Sequence, residues 1–387
     1  MPGKHGEDAE DGVAQLCRRC RENTAVLVVR TDPLCKECFL KYVHTKTIKR
    51  LETFRVRNVP SDQQRKLLLP ISFGVSSVSL LHILDHHLKT QQTKTRRTGF
   101  VIIVLFVDTS TVDGNVPRDH LLHRIQERYP THAYHSAALE HLFSVASPDI
   151  TLSNLLPNAA ASADLSPAGK LTALMDSLGS ATARADVIAT LRTRLVVARA
   201  KALDCEGIVW GDSTTKLAEK TLAETAKGRG FALPWHVTDG DSAFDVTFNY
   251  PLRDVLKKEL VTYSTLVEPP LTPLIHNPTS GATQPNMSSK NTTIDDLMKQ
   301  YFESVEENFP SIVSNVVRTT AKLQIAPEAA SRPRCTLCNM PVEEGRFGIH
   351  GWGGDQEDGL ETLSSGSSTQ FCYGCTRSLP SINVAGQ

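Results

Sequence analysis

No run in this sequence approaches the ~18 consecutive apolar residues that a membrane span requires. Its first fifteen residues, with Glu7, Asp8, Glu10 and Asp11, carry no leader pattern of basic then apolar residues. The expected compartment is therefore the cytosol or the nucleus. Charge of one sign is lacking too: Lys plus Arg number 42 and Asp plus Glu number 42, so the net charge is zero and no global field draws the chain to a polyanion. A nucleic-acid surface would have to be local. No internal repeat is present. What is present is 387 residues, 40% of them hydrophobic, enough for a substantial core in two or three folding units of ~150 residues each.

Eight of the nine cysteines fall into CxxC pairs: Cys17 with Cys20, Cys35 with Cys38, Cys335 with Cys338, and Cys372 with Cys375. In a reducing compartment such pairs read as metal ligands before disulfides, with redox or unliganded thiols as the alternatives. Two intervening residues let one tight turn present both sulfurs to a tetrahedral ion, and two such knuckles complete the shell. The spacing predicts one zinc site near each end of the chain, with 14 residues between the knuckles of the first and 33 between those of the second. The longer segment holds Gly351, Gly353, Gly354, Gly359 and the run Ser364 to Ser368, an insertion whose loop-closure cost is modest. His350 either replaces one thiolate there or is an ordinary exposed histidine. A closed four-sulfur shell leaves no position for substrate, so these sites hold structure. The remaining cysteine, Cys205, reads as a buried small hydrophobe and not as a nucleophile.

The predicted organisation is an acidic disordered tail over residues 1–13, a zinc module with a basic helix over 14–58, and an α/β domain over 60–265. A Pro/Ser/Thr/Asn-rich linker over 269–293, a helical segment over 294–330 and a second cysteine module over 331–380 follow. Within the domain, short apolar runs predict strands at Leu67–Ser72, Phe100–Val107, Gly207–Trp210 and Phe231–Leu233. Helices are expected over Ser77–Leu88, Ala185–Leu203 and Thr214–Ala226, loops over 108–120 and 144–168, and a single helix from Ile294 to about Leu323. Alternating strands and helices imply a doubly wound parallel sheet.

The first strand runs straight into Ser72-Phe73-Gly74-Val75-Ser76-Ser77. A strand-to-helix turn of this kind is where backbone N–H groups would cradle a phosphate. The plainer reading is that Ser76 or Ser77 caps a core helix. The turn resembles the PP-loop of the adenine nucleotide α-hydrolase family, Ser-Gly-Gly-x-Asp-Ser: Ser72, Gly74 and Ser77 fit, while Phe73 replaces a glycine and Ser76 the aspartate. The segment ARAKALDCEGIVWGDSTTKLAEKTL from Ala198, then Tyr250-Pro251-Leu252-Arg253 and Lys258-Glu259-Leu260, resembles later elements of the same family. With a cysteine knuckle ahead of it and a second cysteine module behind, the arrangement is similar to that of the cytoplasmic tRNA 2-thiolation protein 2 family.

That resemblance implies sulfur insertion at position 2 of the wobble uridine in tRNAs for Lys, Glu and Gln. A catalytic branch of the same group adenylates the base with ATP, and a thiocarboxylated ubiquitin-related modifier supplies the sulfur. Where that branch carries a CxxC, this sequence reads Ala185-Asp186-Val187-Ile188. Where it carries a His and two acids, this one reads Asp212-Ser213-Thr214-Thr215-Lys216. The resemblance thus implies a cytoplasmic, non-catalytic partner of a catalytic PP-loop paralogue, with little or no hold on ATP, contributing to tRNA binding. The local candidates for tRNA are Lys41, Lys46, Lys49, Arg50, Arg55 and Arg57, interleaved with Tyr42, His44 and Phe54 and opposed by the single acid Glu52. The same stripe is also what a solvated helix face would show. A second cluster, Lys94, Arg96 and Arg97, is expected to be only solvated.

Overall fold

The computed structural model describes residues 15–58, 64–113, 118–144, 156, 164–276, 292–325, 329, 331–342 and 371–379. The chain opens with a knuckle at Cys17, followed by an antiparallel hairpin of β1 (Leu27–Val29) and β2 (Asp32–Leu34) and by helix α1 (Lys36–Lys49). β3 (Lys66–Ile71), α2 (Val75–Thr95) and β4 (Val101–Asp108) then form the first β-α-β step of the α/β core, its two strands paired parallel. Next come α3 (Ser110–Asp113), α4 (Asp119–Arg128), β5 (Ala133–Ala138), α5 (Pro167–Ser177), α6 (Ala181–Ala202), β6 (Gly207–Val209) and α7 (Thr214–Ala226). The remainder is α8 (Leu233–Val237), β7 (Gly240–Asp241), β8 (Thr247–Asn249), α9 (Lys257–Leu266), α10 (Ile294–Asn308), α11 (Pro310–Thr320) and α12 (Tyr373–Ser378).

The large sheet has the strand order β5-β4-β3-β6-β8-β7 and is parallel except for β7, which pairs antiparallel with β8. From β3 the chain steps outward to β4 and β5, then returns to lay β6 on the other side of β3. The switch point between β3 and β6 is where such sheets open a crevice at the carboxyl ends of their strands. β3 explains the doubly wound reading. Leu67, Leu69 and Ile71 join one core, with α1, α2, α4 and α9, while Leu68 joins the other, with α5, α6 and α7. Both faces are covered, so the strand reads as an unbroken apolar run. The N-terminal cysteines belong to the first core and the C-terminal cysteines to the second.

Several expectations need correction. Phe231–Leu233 is not a strand: Gly230–Ala232 is a 3-10 turn and Leu233 starts α8, with Pro234 in its first turn, where a missing N–H costs nothing. The single helix from Ile294 is two, because Phe309 precedes Pro310 and takes φ −132° and ψ 57°, outside the helical region. The segment 108–120 contains α3 and the start of α4, and α5 begins at Pro167, inside 144–168. The tail over 1–13, most of the linker over 269–293 and the segment from 343 to 370, His350 included, lie outside the described residues. Among the described residues no helix is long and apolar enough to cross a membrane.

Candidate metal centres and the strand-to-helix turn

Each cysteine group is assembled in the same way from two kinds of turn. In the first knuckle the residue after the second cysteine is left-handed, Arg21 at φ 60° and Asn339 at φ 62°. Its N–H donates to the carbonyl of the first cysteine at 2.8 Å in both cases, Arg21 to Cys17 and Asn339 to Cys335. In the second pair the first cysteine is a helix N-cap, Cys35 for α1 and Cys372 for α12, and the other lies one turn in, at Cys38 and Cys375. A helix N-terminus favours negative charge, which suits a thiolate.

Within each group the four Sγ atoms lie within 4.8 Å of one another. Cys20 and Cys35 have their sulfurs 3.8 Å apart, Cys338 and Cys372 theirs 3.6 Å apart. An ion bound at ~2.3 Å by a tetrahedron of sulfurs sets them ~3.8 Å from one another. The charges point the same way. Burial raises Cys17, but the N–H groups of Cys20, Cys35 and Arg19 bring its thiol down to about 6, while burial beside the other sulfurs pushes Cys38 up to about 12. Cys335 is pulled far below the usual thiol range by hydrogen bonds from Cys338, Cys372 and Cys375; Cys338 and Cys375 are held far above it by the Cys335 sulfur first. One thiol in each group ionises at its neighbours' expense, a conflict that a divalent cation removes because coordinated thiols lose their protons outright. Both groups can therefore hold a metal ion.

The C-terminal group is fastened to the core through α6 and the turn that follows α7. The Ser378 hydroxyl donates to Asp186 at 2.7 Å, and Arg229 donates to Asp186 at 2.9 Å and to the Cys375 sulfur at 4.0 Å. Gly228, at φ +80°, lies under Tyr373 so closely that a Cβ would sit 2.4 Å from the ring. Sequence reasoning missed Arg229 as a site residue. Its local sequence shows only an arginine five residues after Glu224, with which it pairs, and nothing that points to the distant cysteines.

At the switch point the turn after β3 is closed on itself. Gly74, not Ser76 or Ser77, is the N-cap of α2, so neither serine is the cap. Ser77 sits in the first helical turn, where its hydroxyl donates to the Gly74 carbonyl at 3.1 Å and lies 3.3 Å from the Ser72 hydroxyl. The Ser72 N–H donates to Ser77 and the Gly74 N–H to the Ser72 hydroxyl, each at 3.4 Å. Phe73 keeps a left-handed backbone, φ 59°, with its ring fully buried 5.0 Å from that of Phe106. Its carbonyl accepts the His276 N–H at 2.8 Å. From the other side Gly211 approaches so near that a Cβ there would lie 2.8 Å from the Ser77 Cα.

The second expected site segment is likewise committed to structure. Ser213 caps α7 by accepting the Lys216 N–H at 3.2 Å, Thr214 donates to the Arg253 carbonyl at 2.8 Å, and Asp212 pairs with Lys220 at 2.5 Å. Thr215 donates to the buried carboxylate of Glu306 at 2.8 Å, which also accepts the Lys258 N–H at 2.8 Å. Glu259 caps α9 through the Leu256 N–H at 2.9 Å and accepts the Tyr42 hydroxyl at 3.2 Å, linking the core to α1.

The basic stripe divides. Lys46 donates to the Asp254 carbonyl at 3.1 Å and Arg50 to the Asp254 carboxylate at 2.7 Å, so both turn toward the core. Arg55 pairs with Glu52 at 2.5 Å, and Lys41, Lys49 and Arg57 are exposed. Arg96, expected in a polar loop, is the left-handed C-cap of α2. Cys205 is buried, and burial raises its thiol.

Comparison with known proteins places this geometry. A solved structure, the U34-tRNA thiolase NcsA from Methanococcus maripaludis with its [4Fe-4S] cluster, shares the fold with a TM-score of 0.58 at 14% identity, covering 87% of this chain and 95% of that one. The family model described as Cytoplasmic tRNA 2-thiolation protein 2 matches residues 293–348. Proteins of that name are 59% identical over 386 residues in Phaeosphaeria nodorum, covering 100% of this chain and 99% of the relative. In Pyrenophora tritici-repentis identity is 55% over 380 residues, 98% of each chain, and in Aspergillus clavatus 37% over 395 residues, 99% of this chain and 100% of the relative. The chain belongs to the cytoplasmic tRNA 2-thiolation protein 2 family.

Proposed function

We propose that this chain is the supporting, non-catalytic subunit of a cytoplasmic assembly that inserts sulfur at position 2 of the wobble uridine in tRNAs for Lys, Glu and Gln. A catalytic PP-loop paralogue supplies ATP chemistry and reactive cysteines, and a thiocarboxylated ubiquitin-related modifier supplies the sulfur. The observation that carries the reading is the turn after β3. A phosphate cradle needs free backbone N–H groups and room for close approach. Here the N–H groups of Ser72 and Gly74 are taken by side chains, and Phe73 stands where a glycine would leave space. Asp186, which occupies the place of a catalytic CxxC, is buried in ion pairs with Arg229 and Lys227. Ser213 to Thr215 serve as a cap and two tethers.

Zinc is the metal we assign to both cysteine groups. Sulfurs gathered within 4.8 Å suit one ion. A four-iron cluster, whose irons each take their own thiolate, needs its ligands farther apart. Four thiolates close the shell, so the role is structural. The test of the functional reading is mass spectrometry of wobble nucleosides from cells lacking the chain, with complementation. Loss of 2-thiouridine derivatives, restored by the wild-type chain, is the expected result. Unchanged thiolation would reject the reading, and conversion of ATP to AMP and pyrophosphate by the isolated chain would reject its non-catalytic part.

A further inference from the structure

A cleft of about 460 Å³ opens where three distant parts of the chain meet. One wall is the N-terminal module, with Arg30 at the left-handed tip of the β1–β2 hairpin and Lys46 and Arg50 from α1. The second is the core, with Arg253, Asp239 and Asp254 from the loops around β7 and β8. The third is α11 and the residues just after it, with Arg318 and Lys322. Six cations face two carboxylates, an excess of four positive charges on a chain whose total is zero.

Both carboxylates are already engaged. Asp254 accepts Arg50 at 2.7 Å, and Asp239 accepts Arg253 at 2.7 Å and the Tyr250 N–H at 2.6 Å. No acid of the cleft is left for Arg30, Arg318 or Lys322. A second guanidinium nitrogen of Arg253, Nη2, is buried with no hydrogen-bond partner among the described residues, in a side chain only 5% exposed. An orphaned charged donor in such a place costs stability unless an acceptor arrives. Burial, followed by the nearby Arg30 charge, lowers the Lys46 ammonium. A second hollow of about 380 Å³ shares Arg30 and Lys46 and adds Arg18 and Arg19, extending the basic track along the N-terminal module.

We propose that this cleft grips the phosphodiester backbone of RNA, with Arg253 aimed at one phosphate and Arg30, Arg318 and Lys322 spread along its neighbours. Positive charge drawn from three walls over a space far larger than a single phosphate fits a polyanionic chain better than a free anion. Four of these cations, Arg30, Arg253, Arg318 and Lys322, lie outside the stripe that the sequence singled out, and Lys41, Lys49 and Arg57 of that stripe do not line the cleft. The N-terminal cysteine group gains a purpose in this arrangement: by fixing the hairpin to α1 it positions Arg30 opposite α11. This inference rests on the reading of the chain as a subunit of tRNA thiolation.

The experiment is fluorescence anisotropy of a labelled tRNA transcript with the full-length chain across a range of salt. Two variants are compared, Arg30→Ala/Arg318→Ala/Lys322→Ala and Lys41→Ala/Lys49→Ala/Arg57→Ala, all at exposed positions. The cleft variant is expected to lose at least tenfold in affinity, with a salt slope shallower by about 2, since each lost phosphate contact removes ~0.7–0.9 from it. The outer variant is expected to match the wild type. Wild-type affinity and slope in the cleft variant overturn the proposal. Saturable binding of inorganic phosphate that only the cleft variant loses, with tRNA affinity intact, overturns it in favour of a small-anion site. Absence of tRNA binding by the wild-type chain overturns it as well, and the nucleoside measurement then separates the levels: lost 2-thiouridine keeps the thiolation role and discards the cleft, whereas retained 2-thiouridine discards both.

Discussion

The Nη1 of Arg229 donates to the Sγ of Cys375 at 4.0 Å while Nη1 and Nη2 together grip the Asp186 carboxylate. One buried cation therefore answers two anions, a carboxylate of α6 and the thiolate charge of the C-terminal cysteine group. Lys227 and Glu224 complete the set, at 3.1 Å from Asp186 to Lys227 and 2.6 Å from Arg229 to Glu224. Arg229→Ala leaves the buried Asp186 carboxylate with only Lys227 and Ser378 and removes the sulfur's cationic neighbour, and breaking a buried pair of this kind typically costs about 3–5 kcal/mol. We expect a large fall in the urea midpoint and faster loss of metal to a chelator. Arg229→Lys should recover only part of both, because a lysine cannot reproduce the two-pronged contact. An unchanged midpoint would mean that the clamp adds nothing to the hold of the module.

This clamp also shows where legibility in the sequence ended. The cysteine groups were readable because ligand spacing is local: a knuckle is specified by four consecutive residues. Arg229 and Cys375 are 146 positions apart, and nothing local in either segment announces the other. The cleft is hidden for the same reason, since its cations come from three separate segments. Among the strands, β3, β4 and β6 could be seen as apolar runs because both faces are covered. β5 could not: His135 and Ser136 are exposed on this edge strand, and the run Ala-Tyr-His-Ser-Ala-Ala carries no such signal. Phe231–Leu233 shows the opposite error, an apolar run buried as a helix start, which hydrophobicity alone does not distinguish from a strand.

Metal content gives the second prediction. Purified protein should carry one ion in each of its two cysteine groups. Cys335→Ser should release one of them, as read by elemental analysis, and should lower the melting temperature. Cys17→Ser should release the other and loosen the hairpin that carries Arg30, so tRNA affinity should fall with it. Full metal content after either substitution would argue against a four-sulfur shell at that place.

Acid should destabilise the protein through two half-buried histidines. His44 meets the Tyr263 hydroxyl at 2.7 Å and His82 the Tyr129 hydroxyl at 3.0 Å. Burial, then the charge of His86 for one and of Arg128 for the other, lowers each from the usual 6.5 to about 4. Between those values the unfolded chain binds more protons than the folded one, so stability falls as pH drops from 6.5 toward 4 and levels off below it for these two groups. The slope is at most about 1.4 kcal/mol per pH unit for each. Melting temperatures measured from pH 7 to 4 should follow this course, and His44→Gln/His82→Gln should flatten it. An equally steep decline in the double variant would assign the acid sensitivity to other groups, first to His236, which burial also lowers from 6.5 to about 4.

Phe73→Gly tests whether the turn after β3 is closed by one ring or by its whole hydrogen-bond pattern. Glycine would relieve a left-handed conformation that costs an ordinary residue about 1–2 kcal/mol. It would also empty the space of a fully buried Phe packed on Phe106, a loss of about 3–5 kcal/mol. Loss exceeds gain, so a net destabilisation of about 2–3 kcal/mol is expected from urea unfolding. ATP binding should not appear. The Ser72 and Gly74 N–H groups keep their side-chain partners, His276 still donates to the carbonyl of residue 73, and Gly211 still abuts Ser77. Saturable ATP binding by this variant, measured by calorimetry, would show instead that the ring alone stands between this turn and a working phosphate cradle.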